Sequence, residues 1–508
     1  MHPVISFTLS SKRIFFPALC LTALAVLALL AAFNFTNDRW GVYSEDRLHF
    51  VADIQVNRFA LKTWHVLDNP ELYDCLIMGS SRVDMIDTRR FPGTCYNFTH
   101  SGGTPSDHLI ALRQFTRAGI KFKAVYLGLD EFSYIQDPDV GKTQKMRRPP
   151  PDDFLDWVSF HASYLLHFPE YRDWEVFNGH APRITNDWYV ISPQNHQPQL
   201  RHQARRKFLN ASQHKKVFET VQATYWGEGD YVSKAVADLS EIVALSEQHS
   251  FDLTLFFNPL HYTTYLQQDL GRMERFLAGV VQVAPVLDFA GLNAFTLDSR
   301  YWLESSHYTT RLGDKMIPYL LDRKVLELPF GQVLSAGDLK QKLRSKYWRD
   351  IAVLYRAEKF KGAHFIPRQL ADVLIERASA GTSEEFVDLK NVERRGDYYV
   401  IDEVGASVFV APSCSDAGLA QRPHLISIDL EYRAHDELYL YSPDQRGEFS
   451  GRRRQRLYLP AGRQKPAIFM RAMACDSMAR IIPFAGRGTF KLNEMLGYQL
   501  PPFSAWVN

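Results

Sequence analysis

A serine hydroxyl becomes a nucleophile when a histidine takes its proton and an acid holds that histidine in place. The chain carries such a set in two fragments. An apolar run, Cys75-Leu76-Ile77-Met78, stops at Gly79-Ser80-Ser81-Arg82, and Glu304-Ser305-Ser306-His307-Tyr308 follows more than two hundred residues later. A small-residue turn after a buried strand can lift a serine above a sheet, and an acid three residues before a histidine can orient its imidazole. Taken singly, the serine turn reads as a capping turn and His307 as a structural histidine. Occurring together, they point to acyl chemistry.

The segments between them supply elements able to bring the fragments together. From 70 to 325 the chain alternates short apolar strands with amphipathic helices, as in a parallel sheet covered on both faces. Strands are expected at Cys75–Met78, Cys95–Phe98, Ala124–Leu129, Leu253–Phe257 and Pro285–Phe289. Thr104 or Ser106 caps a helix running to Ala118, with Gly119 as its stop; further helices are expected at Ser233–Gln248 and Thr310–Arg323. Such sheets hold ligands at the carboxyl ends of their strands. Ser80, Ser81, Gly102, Gly103, Asp130, Asn258 and His307 all fall there. Arg82, Asn258 and His261 are candidate substrate contacts on the same rim, although an ion pair from Arg82 to Asp84 or Asp87 is the plainer expectation for that residue. His100 is placed similarly.

In short blocks the chain resembles the SGNH, or GDSL-like, hydrolase family, in particular its membrane-anchored branch that handles acyl groups on exported polysaccharides. Gly79-Ser80-Ser81 stands where the family has Gly-Asp-Ser, which implies Ser81 as nucleophile and its amide as an oxyanion donor. Asn97-Phe98-Thr99-His100-Ser101-Gly102 is similar to the second block, which gives Gly102 the role of a second donor. Glu304-Ser305-Ser306-His307 resembles the Asp-x-x-His block, with His307 as general base and Glu304 in the aspartate's place. Gly128-Leu129-Asp130 departs from the third block, Gly-x-Asn, because an ionised carboxylate cannot donate. Losing one oxyanion donor costs about 3 kcal/mol of transition-state stabilisation. Three outcomes are open for Asp130: it turns away onto backbone amides, it is protonated, or Asn258 donates instead. The Asp130-Glu131-Phe132 sequence favours the first, as the start of a helix or turn that a carboxylate would cap.

The remaining sequence sets the context. Ile14 through Phe33 is a run of twenty apolar or small residues behind Lys12 and Arg13. Length and flanking charge predict a single-pass anchor with residues 1–13 cytoplasmic and the bulk of the chain periplasmic or otherwise extracytoplasmic; a cleaved signal peptide is the alternative. With 59 Lys plus Arg against 57 Asp plus Glu, the charge favours no nucleic-acid partner. Export leaves two readings of the cysteines: pairs Cys75–Cys95 and Cys414–Cys475, or buried free thiols. No spacing among the residues calls for a metal or cofactor.

Residues 136–229 read as an insertion forming a lid or substrate wall. Trp157, Trp174, Trp188 and Trp226 there either stack on sugars or fill local cores, and the basic run Arg201–Lys207 either attracts an anionic polysaccharide or is an ordinary solvated face. Ala336–Phe360 reads as a charged helix. Beyond it the pattern is all strand, either similar to jelly-roll sugar-binding modules, with Tyr439, Tyr441 and Arg452-Arg453-Arg454 as candidate contacts, or a purely structural accessory domain.

The expected architecture is therefore a 14–33 anchor, a flavodoxin-like three-layer α/β domain over 40–330, a helical linker over 331–365 and a β-sandwich over 366–508. The expected function is O-acylation, or de-esterification, of an exported polysaccharide or cell-envelope glycan, with a membrane-bound acyl-donor protein as a possible partner. A catalytically silent glycan-binding or scaffold protein is the alternative.

Overall fold

The computed structural model of the 508-residue chain describes residues 9–43, 56–174 except 172, 229–322 and 330–357, a short hairpin (Tyr189–Ile191 with Pro198–Leu200), and from 360 to 500 mainly the helices and strands. Its first large unit is a six-stranded sheet: β1 (Cys75–Ser80), β2 (Cys95–His100), β3 (Ala124–Leu129), β4 (Asp252–Phe257), β5 (Val286–Asp288) and β6 (Gln332–Leu334). The order is β2-β1-β3-β4-β5-β6. The first five strands are parallel, in the order of flavodoxin-type doubly wound sheets, and β6 pairs antiparallel at the edge.

Alternation along each strand explains why the runs are apolar throughout. In β1, Leu76 and Met78 enter one core while Cys75 and Ile77 enter the other; in β4, Leu255 and Phe257 oppose Phe256. Strands covered on both faces have no solvent side to leave polar. Helices Pro105–Arg117, Val232–His249 and Leu270–Val283 cover the first face, and Thr310–Leu321 the second. Thr104 caps the first helix in a reciprocal box with Asp107, so the hydroxyl and carboxylate satisfy amides that the helix cannot.

Two sequence expectations change here, and one of two open readings is met. β1 and β2 each extend two residues further than expected, placing Ser80 inside the strand and Ser81 in the turn. Residues 331–365 do more than link domains: Gln332–Leu334 is the edge strand, and helix Leu339–Arg356 buries Leu343, Tyr347, Ile351 and Leu354 in the main core. Cys75 and Cys95 are bonded, opposite one another at the first register positions of β1 and β2. Cys414 and Cys475 lie outside the described residues.

Two antiparallel sheets, of eight and five strands, form the C-terminal part. The larger is built around His424–Tyr432 paired with Gly488–Gln499. Its Leu425, Ala467 and Phe469 join the same core as helix Arg368–Ile375, which connects it physically to the α/β unit. At the other end, helix Leu9–Asn37 contains a stretch, Phe16–Asn37, with an 18-residue window of mean hydropathy 2.4. It is long and apolar enough to cross a membrane.

Candidate active site at the carboxyl edge of the sheet

Ser81 occupies the turn leaving β1. Gly79 makes that turn possible: its φ of +149° suits glycine, and a Cβ there would lie 2.5 Å from Val83 and 2.9 Å from the Gly128 carbonyl. Ser81 Oγ lies 2.8 Å from His307 Nε2, across 226 residues of sequence. His307 Nδ1 bonds to Glu304 Oε1, whose carboxylate also accepts the Ser306 amide through Oε2 at 2.7 Å. A carboxylate only accepts, so Nδ1 carries the ring proton and Nε2 presents its lone pair to the Ser81 hydroxyl. Burial alone would raise the Glu304 carboxyl. The hydrogen bond and charge of His307, the Ser306 amide and Arg82 outweigh that effect and hold it below its usual range.

The loop carrying the acid and the histidine is closed on itself. Leu303 N donates to His307 O, Thr309 N to Tyr301 O, and Thr264 Oγ1 to Ser305 O at 2.6 Å. His307 and Glu304 keep 35% and 31% of their side-chain surface exposed. A hydroxyl, a base and an open approach therefore meet at one point.

The expected substrate contacts are placed differently. Arg82, Asn258 and His261 are 1%, 0% and 1% exposed. Arg82 does not pair with Asp84 or Asp87; both of its terminal nitrogens bond to Glu131, and its Nε donates to Ser306 Oγ at 3.3 Å. Asp84 faces Arg58 and Thr99, and Asp87 binds Arg89. Arg82 thus ties the serine turn to the end of β3 and to the histidine loop. Asn258 accepts from the Tyr308 hydroxyl at 3.2 Å, while its Nδ2 is buried without a partner. His261 bonds to Thr263 Oγ1 at 2.7 Å and packs on Trp302. His100 is buried and stacked on Phe59.

Asp130 is buried and turned inward. It accepts the Ser80 hydroxyl and, through Oδ1, the Phe132 amide at 3.0 Å. Its carboxyl is pushed up to about 6 by burial, against the pull of Arg82. Gly102 sits at φ +62° in the loop after β2, and its carbonyl accepts Arg147 Nη2 at 2.6 Å. Beneath that loop, Lys62 Nζ donates to the carbonyls of Asn97 and Thr99, both at 2.8 Å; burial lowers it to about 7 despite Asp84.

Glu131, Ser306, Arg147 and Lys62 thus frame the site without having been singled out in the sequence. Glu131 was legible as a second acid at the end of β3. Arg147, in the insertion, and Lys62, before the first strand, carry no local signal of where they pack. Trp157 and Trp174 are exposed, whereas Trp188, Trp226 and Arg201–Lys207 fall outside the described residues. Tyr439 is half-buried in strand Asp436–Pro443, and the side chains of Tyr441 and Arg452–Arg454 are outside the description.

No family model matches the chain, and no curated protein matches it significantly. Among solved structures, a CBM4 module is 11% identical over 22% of this chain and 77% of its own, with a TM-score of 0.17. The carbohydrate-binding module CBM6cm-2 from Cellvibrio mixtus lichenase 5A, solved in complex with cellotriose, is 10% identical over 25% of this chain and 94% of its own, with a TM-score of 0.15. The capsular polysaccharide assembling protein CapF from Staphylococcus aureus is 9% identical over 83% of this chain and 96% of its own, with a TM-score of 0.17. Scores this low fix neither a fold nor a role.

Proposed function

We propose that the protein is a membrane-anchored serine acyltransferase or esterase of the SGNH type, acting outside the cytoplasm on an exported or cell-envelope glycan. The observation that carries this reading is the Ser81–His307–Glu304 relay, with 2.8 Å between hydroxyl and imidazole. His307 Nε2 takes the Ser81 proton as Oγ attacks an ester carbonyl, and Glu304 stabilises the imidazolium. The amides of Ser81 and Gly102 receive the oxyanion. The ester C–O bond then breaks, His307 returns the proton to the departing alkoxide, and the acyl group stays on Ser81. In the second half, water or a sugar hydroxyl gives its proton to His307 and attacks the acyl carbon; the bond to Ser81 Oγ then breaks, and His307 returns the proton to that oxygen, freeing Ser81.

Asp130 fits this scheme as a framework residue bonded to Ser80 and Phe132, with Asn258 Nδ2 in reserve as a third donor. The N-terminal apolar helix supports anchoring, and anchoring favours transfer from a membrane-bound acyl donor. We assign the C-terminal antiparallel sheets to a sandwich that holds the glycan. The competing assignment, a silent glycan-binding scaffold, rests on Asp130 standing where the motif resemblance calls for an amide, together with Glu304 in the aspartate's place. Full-length protein in detergent should release acetate from an activated acetyl ester, and Ser81→Ala should abolish the release. Folded wild type turning over no faster than Ser81→Ala would move the assignment to the scaffold.

A further inference from the structure

The insertion's described part ends in an apolar surface that neither the relay nor the framework uses. Helix Phe154–Leu165 buries Phe160 and Tyr164 against Trp64 and Trp40. Its other side leaves Phe154, Leu155, Trp157 and Val158 in the open, Phe154 at 74%. Just beyond it, Phe168 at 81%, Tyr171 and Trp174 are exposed as well. Isolated exposed apolar residues are ordinary, but a run of large ones on a helix and its adjoining loop marks a contact surface.

What covers it is indicated by what it touches. The surface is continuous with the end of the N-terminal apolar helix. Phe33 packs on Trp174 with ring centroids 4.9 Å apart, and Phe35 packs on Tyr43 at 5.1 Å. Tyr43 bonds to His161, whose ring lies 4.5 Å from Trp157, itself stacked with Phe154. Polar bonds lock the junction: Asn34 Nδ2 donates to Leu165 O and His167 O, Asn37 Nδ2 to Asp173 O, and Arg39 pairs with Asp173 and Glu170. Aromatic rings gathered where a spanning helix leaves the bilayer favour the headgroup level, and an apolar helix face buries about 5–10 Å into that boundary.

We infer that Phe154, Leu155, Trp157, Val158, Phe168 and Trp174 form a lipid-contact surface that lays the catalytic unit on the bilayer crossed by its own anchor. This rests on the anchor assigned above. Asp152, Asp153 and Asp156 border the patch and Asp152 pairs with Arg117, so the contact is made with the glycerol and acyl region rather than by attraction to anionic headgroups. The same insertion carries Arg147 to the Gly102 carbonyl, and Tyr164 Oη donates to Lys145 O at 2.6 Å. The lipid-facing helix is thereby coupled to the oxyanion loop, and the site draws on an acyl donor or acceptor held at the membrane surface.

The test uses the full chain in nanodiscs of phosphatidylethanolamine and phosphatidylglycerol, with the photo-cross-linker p-benzoylphenylalanine placed singly at positions 24, 154, 168 or 321. Leu24 lies in the apolar helix, and Leu321 is an exposed apolar residue at the end of a helix on the opposite face of the sheet. Lipid adducts at 154 and 168 should fall within about threefold of those at 24 and exceed those at 321 by about tenfold or more. Lipid at 24 alone would overturn the contact surface and leave the anchor standing. Lipid at none of the positions would sink the anchor itself. Protein adducts at 154 and 168, with lipid only at 24, would show that a protein covers the patch and would equally overturn the inference.

Discussion

Two polar clusters stand at the carboxyl ends of the parallel strands, and they are built to opposite ends. Beyond β5, Asp288 accepts Lys346 Nζ at 2.9 Å and the Ala290 amide, while Asp350 accepts the Leu292 amide and the Tyr265 hydroxyl. Asp288, Lys346, Asp350 and Tyr265 are all buried, and burial pushes the Asp350 carboxyl up to about 6 despite Lys346. Beyond β1, the Ser81 hydroxyl and the His307 imidazole meet while still open to approach. A charged cluster whose oxygens are taken up by the protein's own donors is framework, however perturbed its titration. A hydroxyl and a base that share one hydrogen bond at an open rim are what the proposed reaction needs. Perturbed titration alone does not separate the two, since the Asp130 carboxyl behind the Ser81 turn is likewise pushed up to about 6.

The contrast breaks most sharply at His307. His307→Ala should lower ester turnover by about 10³-fold or more, because the proton acceptor is lost, with little change in melting temperature at this partly exposed position. A variant retaining near-wild-type turnover would place the chemistry elsewhere. Lys346→Met should do the reverse: it strands buried carboxylates and costs about 3–5 kcal/mol of stability, measured by denaturant unfolding, with turnover per folded molecule unchanged. Glu304→Gln should lower turnover by about 10²-fold, since the amide still fits but no longer offsets the imidazolium charge. The smallest effect belongs to Asp130. Its folded pKa of about 6 lies above the unfolded value near 4, so its ionisation costs stability as pH rises through that window. Asp130→Asn removes the cost. Its stability relative to wild type should therefore improve between pH 4 and pH 6 and then level off; a difference constant across that range would show that Asp130 ionises normally.

The sequence made the strands of the α/β unit readable because apolar runs ended in Gly, Ser or Asp punctuation, and it paired Ser81 with His307 through the motif blocks. Asp130's inward turn was also legible, as the start of a capped turn. Arg82 was misread because a local acid, Asp84 or Asp87, was the nearest in sequence, whereas the guanidinium found Glu131 just beyond the end of the adjacent strand β3. Packing across strands leaves no mark at short range. The same holds for Arg147 on Gly102 and for the edge strand Gln332–Leu334, three residues too short to show a period. Helix Leu339–Arg356 looked like a linker because its charged residues dominate; two of them, Lys346 and Asp350, face inward and are matched there.

Labelling at Ser81 decides whether the open rim is an active site. Full-length protein treated with a serine-directed fluorophosphonate, digested and read by peptide mass spectrometry should carry the phosphonyl group on Ser81, and the His307→Ala variant should lose nearly all of it. A folded protein that takes no label there, or takes it equally without His307, would contradict the relay on which the proposed function stands.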